Sequence, residues 1–291
     1  MHPQPARRVL SVFLCCLVVA GLFGPALSQA TMVRLLTVLG PVDIDLFDSA
    51  APATVANFLG YTRSGAYNNT FFHRSVPGFI VQGGGWSWTD ASGAVKVPAG
   101  PPVVNEFSVI RSNLRGTVAM AKLGNNPNSA TTEWFFNLAN NASNLDEQNG
   151  GFTVFGRLTT PGMRVVDAIA ALSRVNAGSA FTDLPVARPV VGSFRRENFV
   201  MVNSVAVLPA PATAADRVFN YLEATYPQFL KPSLATSTTG SGYYYRFYPE
   251  SNAYVGERDG VIFYLVPAIS SDIIRFAPTA ELLPTAAQAG Y

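Results

Sequence analysis

The sequence predicts a mainly β protein: a closed antiparallel barrel capped by two helices, joined to a small α+β module. Three observations carry that expectation. Short apolar or alternating runs recur through the first two hundred residues, separated by Gly, Asn and Pro. Few segments there have helical spacing. At Pro209-Ala210-Pro211-Ala212 the composition then breaks, and nine of the eleven tyrosines lie beyond it, so a second unit starts there. The 291 residues are 48% hydrophobic and 13% charged, which excludes a disordered chain and is enough for two cores.

Taken in order, residues 33–39 are apolar and β-branched, Gly40-Pro41 turns the chain, and 42–47 alternates Ile44 and Leu46 against Asp43 and Asp45. That pattern is a β-hairpin. Ala51-Pro52 opens a helix whose face is Val55, Phe58, Leu59 and Thr62, and Gly65 ends it. Strands are expected at 71–74, 80–82, 116–121, 133–138, 153–158 and 199–208, and a second helix at 162–172. Past the linker, Thr213 or Asp216 can cap a helix running to Thr225. Three strands follow at 242–248, 253–256 and 261–266, with Asp259-Gly260 as a hairpin turn.

The N-terminus reads as a cleavable export signal. Arg7-Arg8 precedes an apolar run, and Ser28-Gln29-Ala30 places small residues where a signal peptidase reads, so cleavage is expected after Ala30. The expected units are then 1–30 as signal peptide, 31–208 as barrel domain, 209–212 as linker and 213–291 as the tyrosine-rich module. Cys15, Cys16 and His2 leave with the signal, so disulfides, thiolate chemistry and multi-histidine metal sites are excluded from the mature chain. Without Arg7 and Arg8 the formal charge falls from +2 to zero, which disfavours a nucleic-acid partner. No later stretch is apolar enough to span a bilayer, so a periplasmic or secreted protein is expected.

One segment concentrates chemistry: Phe71-Phe72-His73-Arg74-Ser75-Val76-Pro77-Gly78-Phe79-Ile80-Val81-Gln82-Gly83-Gly84-Gly85. With Pro77-Gly78 as the turn, Arg74 and Gln82 fall on neighbouring strands, beside an apolar floor. By alternation His73 faces away from Arg74 and reads as structural; Trp86 and Trp88 read as packing residues. The segment offers no nucleophile with a base, no paired carboxylates and no phosphate loop.

This segment resembles the signature of the cyclophilin family of peptidyl-prolyl isomerases. The run at 116–121, the block Asn128-Ser129-Ala130-Thr131-Thr132-Glu133-Trp134-Phe135-Phe136-Asn137, and Asn144-Leu145-Asp146 with Phe152-Thr153-Val154-Phe155-Gly156 agree with it in order. The resemblance covers residues 32–208. It implies an eight-stranded barrel with the site on its outer surface, and it implies roles. Arg74 matches the catalytic arginine. Phe79, Ile80 and Phe135 match the proline pocket, with Leu145 at its edge. Gln82 matches the amide that holds Arg74 or the substrate backbone, and Ala121-Lys122 the strand that bonds the peptide. Phe152 stands where many members have histidine. Asn144 stands where eukaryotic members have the tryptophan that binds cyclosporin, so weak cyclosporin affinity is implied. Glu133 replaces a more usual glutamine and is expected to pair with Arg74 or Lys122. The implied activity is X-Pro isomerisation in exported proteins, on proline-containing polypeptides, with no cofactor or metal. The alternative is a non-catalytic proline-peptide binder that the module attaches to a partner or surface; that partner is unknown.

Overall fold

In the computed structural model, residues 30–232 and 236–291 are described. The signal peptide expected over 1–30, with Cys15 and Cys16, lies outside them except for Ala30. The chain opens with the predicted hairpin, β1 (Met32–Thr37) and β2 (Gly40–Leu46). Thr37 pairs with Gly40 across its turn. Gly40 has φ +128°, a value that suits glycine. Helix α1 (Pro52–Arg63) follows. Its first N–H groups, Ala53 and Thr54, are satisfied by the Glu106 carboxylate at 3.1 and 2.7 Å, because Ala51 has no side-chain acceptor to offer.

The next strands are β3 (Thr70–Phe71), β4 (Arg74–Val76), β5 (Ile80–Gly83), β6 (Trp86–Thr89), β7 (Gly93–Lys96), β8 (Thr117–Met120) and β9 (Trp134–Asn137). The short helix α2 (Ala142–Leu145) leads to β10 (Val154–Leu158), α3 (Thr160–Ala170), β11 (Arg174–Val175), β12 (Leu184–Pro185) and β13 (Met201–Val207). Helix α3 starts earlier than the expected residue 162. Thr159 caps it by accepting from Gly162 N, and Pro161 fits the first turn, where its missing N–H costs nothing.

The ring closes through residues 70–76. β3 pairs with β13, while β4 pairs with β5. Between them Phe72 N donates to Val200 O and His73 N to Gln82 O, each at 3.1 Å. The circuit runs from 70–76 through β5, β9, β8, β10, β2, β1 and β13 and back, eight antiparallel strands. β6 and β7, which the sequence reading did not anticipate, extend from β3 as a flap outside the ring. Inward residues such as Val33, Leu35, Ile44, Val81, Val118, Phe136 and Phe155 fill the barrel, and Phe58 of α1 and Val166 of α3 plug its ends. Burying side chains of this size contributes about 1.5–3 kcal/mol each.

The C-terminal part has its own core. It comprises α4 (Ala214–Thr225), α5 (Pro227–Leu230), β14 (Thr238–Gly240), β15 (Tyr243–Tyr248), β16 (Ala253–Arg258), β17 (Val261–Leu265), β18 (Ile274–Pro278) and α6 (Thr279–Gln288). The sheet runs in sequence order, a five-stranded meander. Asp259 and Gly260 both have positive φ, as the tight turn between β16 and β17 requires. Phe219 and Leu222 of α4 pack on Tyr248, Val255 and Ile262. On the opposite face Tyr243, Tyr245, Tyr254 and Phe263 line a groove of about 250 Å³, so those tyrosines are half-buried sheet residues.

Charge joins the two units. Arg34 and Asp43 face outward from β1 and β2, yet both are fully buried. Arg34 makes two bonds of 2.7 Å to the Asp43 carboxylate and a further one to Glu223 of α4. Glu223 lies 3.1 Å from Arg246, which also reaches Asn220 (2.8 Å) and Asp216 (3.4 Å). Tyr291 donates to Asp43 at 2.5 Å, and Thr160 N donates to Ala289 O. Among the described residues, no helix is long and apolar enough to cross a membrane.

Candidate active site

Sheet register builds the site. Pro77 and Gly78 turn the chain between β4 and β5, with Phe79 N donating to Val76 O (3.0 Å) and Gly78 at φ +71°. Arg74 then lies directly across from Gln82. Gln82 pairs with Phe135 on β9, Phe135 with Ala119 on β8, and Ala119 with Val154 on β10. Val81 points into the barrel core, so its neighbours Ile80 and Gln82 point out. One outward row therefore carries a guanidinium, an amide and an apolar floor.

That floor is a second hydrophobic cluster, outside the barrel. Ile80, Ala119, Phe135, Leu145 and Val154 form it, and Phe47, Phe79, Ala121 and Phe152 rim it. The Phe135 and Phe152 rings meet edge to face at 5.8 Å. Leu145 is supplied by α2, whose loop is pinned from below. The Asp146 carboxylate accepts from Asn113 N (3.0 Å), Asn113 Nδ2 (2.8 Å) and Ser112 Oγ, and Asn113 Nδ2 also reaches Phe152 O. Burial pushes the Asp146 carboxyl up, but these donors hold it below the usual carboxylate range.

The polar side differs from the expected pairing. Glu133 pairs with neither Arg74 nor Lys122. Its Oε2 accepts from Gln82 Nε2 at 2.7 Å and lies 3.4 Å from His73 Nε2. Burial raises the Glu133 carboxyl, and His73, Gln82 and the Lys96 charge more than reverse this, leaving it below its ordinary value. Its second neighbour, His73, is buried, and strand alternation turns that ring away from Arg74. Lys122 instead donates to the carbonyls of Asn149 (2.9 Å) and Gly151 (2.6 Å), with its ammonium 4.7 Å from the Phe152 ring centre. Burial pushes its pKa down to about 8. Ala121 N is occupied by Glu133 O at 2.9 Å.

Arg74 is about one-third exposed, and a carboxylate that the sequence reading missed, Asp183, stands 3.9 Å from its Nε. Asp183 also anchors the strand, since Ser75 N donates to its carbonyl at 2.8 Å. Nothing local in the sequence announces it, because it lies in a loop far along the chain. Phe47, at the end of the first hairpin, was read only as a strand residue, and its place at the rim comes from tertiary packing. Asn144 is exposed and accepts from Gln148, so it stands apart from the cluster. Chemically, the arrangement offers an apolar socket for a ring beside one guanidinium that can donate to it. The site has no paired nucleophile and base.

Comparison with known proteins agrees in family. A family model described as cyclophilin type peptidyl-prolyl cis-trans isomerase/CLD matches residues 32–191. Peptidyl-prolyl cis-trans isomerase A of Dickeya dadantii is 38% identical over 190 residues, 64% of this chain and 95% of that protein. The peptidyl-prolyl cis-trans isomerase of Acinetobacter baylyi is 41% identical over 156 residues, 53% of this chain and 80% of its own. A crystal structure of a Cryptosporidium parvum cyclophilin type isomerase, determined in the presence of the dipeptide Ala-Pro, covers 62% of this chain and 99% of that one, at 22% identity and a TM-score of 0.47. With the family model matching over more than half of its length, this chain belongs to the cyclophilin-type peptidyl-prolyl cis-trans isomerase family.

Proposed function

We propose that this chain isomerises X-Pro bonds in exported polypeptides through the outward row at Arg74, with 31–208 as the catalytic domain and 213–291 as a docked accessory module. The observation that supports the reading is the pairing of Arg74 and Gln82 beside the Phe79, Ile80 and Phe135 cluster. The barrier to X-Pro rotation is about 18–20 kcal/mol and comes from amide resonance. The apolar cluster holds the proline ring. Arg74 donates toward the prolyl nitrogen as the bond twists, keeping its lone pair off the carbonyl and removing double-bond character. Such a donor binds the twisted state more strongly than the planar one, and each ~1.4 kcal/mol of that difference gives a tenfold rate. Leu145 and Phe152 close the socket, and the Ala121-Lys122 strand and Gln82 take the peptide backbone. Asn144, turned to Gln148, adds no aromatic wall, which favours weak cyclosporin binding.

Amide chemical shifts recorded during titration with a short Ala-Pro-containing peptide test where binding occurs. Perturbations should centre on Arg74, Gln82, Ala121 and Phe135. A response confined to the aromatic groove of the C-terminal sheet would overturn the assignment of the site.

A further inference from the structure

The hydrogen bonds at the start of the fold single out one peptide bond. Thr31 N donates to Asp48 Oδ2 at 2.8 Å, and Thr31 Oγ1 donates to Asp48 Oδ1 at 2.8 Å. The Thr31 carbonyl accepts from Leu46 N (2.9 Å), and the Met32 carbonyl accepts from Leu208 N (2.8 Å). Ala30 is exposed. A cut between Thr31 and Met32 would strip both bonds to Asp48 and the bond to Leu46. A cut further out would leave residues trailing past the carboxylate. A cut between Ala30 and Thr31 leaves all of these bonds in place and puts a new terminal nitrogen at hydrogen-bond distance from Asp48. Independently, Ser28 and Ala30 are the small residues that export proteases read at that position.

We propose that hydrolysis of the Ala30–Thr31 bond creates an α-ammonium that pairs with Asp48 and pins the start of β1. The proposal rests on the export reading given above. The step is a simple hydrolysis by an export-linked endopeptidase. The C–N bond breaks, water gives its hydroxyl to the Ala30 carbonyl carbon and a proton to the Thr31 nitrogen, and a further proton from solvent completes the ammonium. Nothing is oxidised or reduced.

The product outperforms its precursor for a chemical reason. The peptide N–H is one neutral donor, whereas the ammonium carries three charged ones, and charge-assisted bonds are stronger. Its surroundings suit it. Ala30, Thr31 and Asp45 line a cleft of about 380 Å³ between barrel and module, facing Arg217 of α4 and Tyr291. Asp45 is held by Arg157 at 2.9 Å. The new charge therefore meets Asp48 in contact and Asp45 nearby, against Arg157 and Arg217. Pairing raises the α-amino pKa above its unfolded value of about 7.7–8.0. The added stability is then fully present below that value and is lost as pH rises through the folded pKa.

Two measurements test this. N-terminal sequencing and intact mass of the protein recovered from the exported fraction should give Thr31 as first residue. Protein found only inside the cell, with residues 1–30 retained, overturns the export reading and this proposal together. An exported chain that starts elsewhere overturns this proposal alone. Second, residues 31–291 are prepared with a free and with an acetylated Thr31. At pH 6.5 the free form should melt about 1–3 °C higher. That difference should shrink above pH 9 and vanish in Asp48→Asn. Equal melting of the two forms at pH 6.5, or a difference that survives Asp48→Asn, would overturn the pairing.

Discussion

The ionised Glu133 carboxylate has no donor to offer, so the Gln82 amide must turn its NH2 edge toward it. That leaves the Gln82 carbonyl on its other edge, available to Arg74 directly across the strand pair or to a peptide N–H. On the proposed reading Glu133 thus orients a side chain of the site without touching the prolyl bond. It should also contribute to stability. Its folded pKa lies below the ordinary value, so the stabilisation is present above the unfolded pKa of about 4.3 and is lost as pH falls through the folded one. Glu133→Gln should cost about 1 kcal/mol at pH 7. Thermal melts from pH 7 down to pH 3 should show the wild-type advantage closing as acid is added. An advantage that is independent of pH would contradict the ionised assignment.

Among the elements, α4 was the most legible beyond the barrel, because its start is written in side-chain chemistry. Thr213 Oγ1 accepts from Asp216 N, and Asp216 Oδ2 accepts from Thr213 N, each at 3.1 Å. Thr213→Ala should destabilise the protein by about 1 kcal/mol in denaturant titration, since Asp216 keeps Ser237, Tyr244 and Arg246 as partners. A loss below a few tenths would mean that those partners hold the helix end unaided. The hairpins β1–β2 and β4–β5 were legible for a similar reason: alternation and a turn dipeptide fix their register. β14 was not, because an edge strand as short as Thr238–Gly240 carries too few residues to show a period; β18 (Ile274–Pro278) was also passed over. Helix α6 was hidden by Pro284 in its interior, which reads locally as a break. The β6–β7 flap was hidden by Trp86 and Trp88, which serve as packing residues whether or not they lie on strands.

At the scale of the molecule, the module is docked by a chain of buried charges, where the sequence suggested a tether at 209–212. Alternation set Asp43 against Ile44 and Leu46, but it cannot say what covers its face; Arg34 does so from β1, and Glu223 and Tyr291 from far along the chain. Likewise the outward row at Arg74 was legible through the motif, while Asp183 and the true partner of Glu133 depended on tertiary approach. A buried ion chain adds little net stability over a well-packed apolar one, yet losing one member strands the others. Glu223→Ala should therefore cost about 3–5 kcal/mol in equilibrium unfolding. Isomerase activity per folded molecule should stay near wild type, because the Arg74 row is built on β4, β5, β9 and β8 and the network on β1 and β2. A loss of activity without a loss of stability would show that the module acts on the site. On the proposed reading, catalysis passes through Arg74. Exchange spectroscopy on a short X-Pro peptide, with wild type and with folded Arg74→Ala, tests it most directly. Wild type should accelerate exchange, and the variant should lose roughly 10²–10³ of that acceleration while still binding the peptide. Undiminished turnover by a folded Arg74→Ala would show that the guanidinium is not the catalytic group.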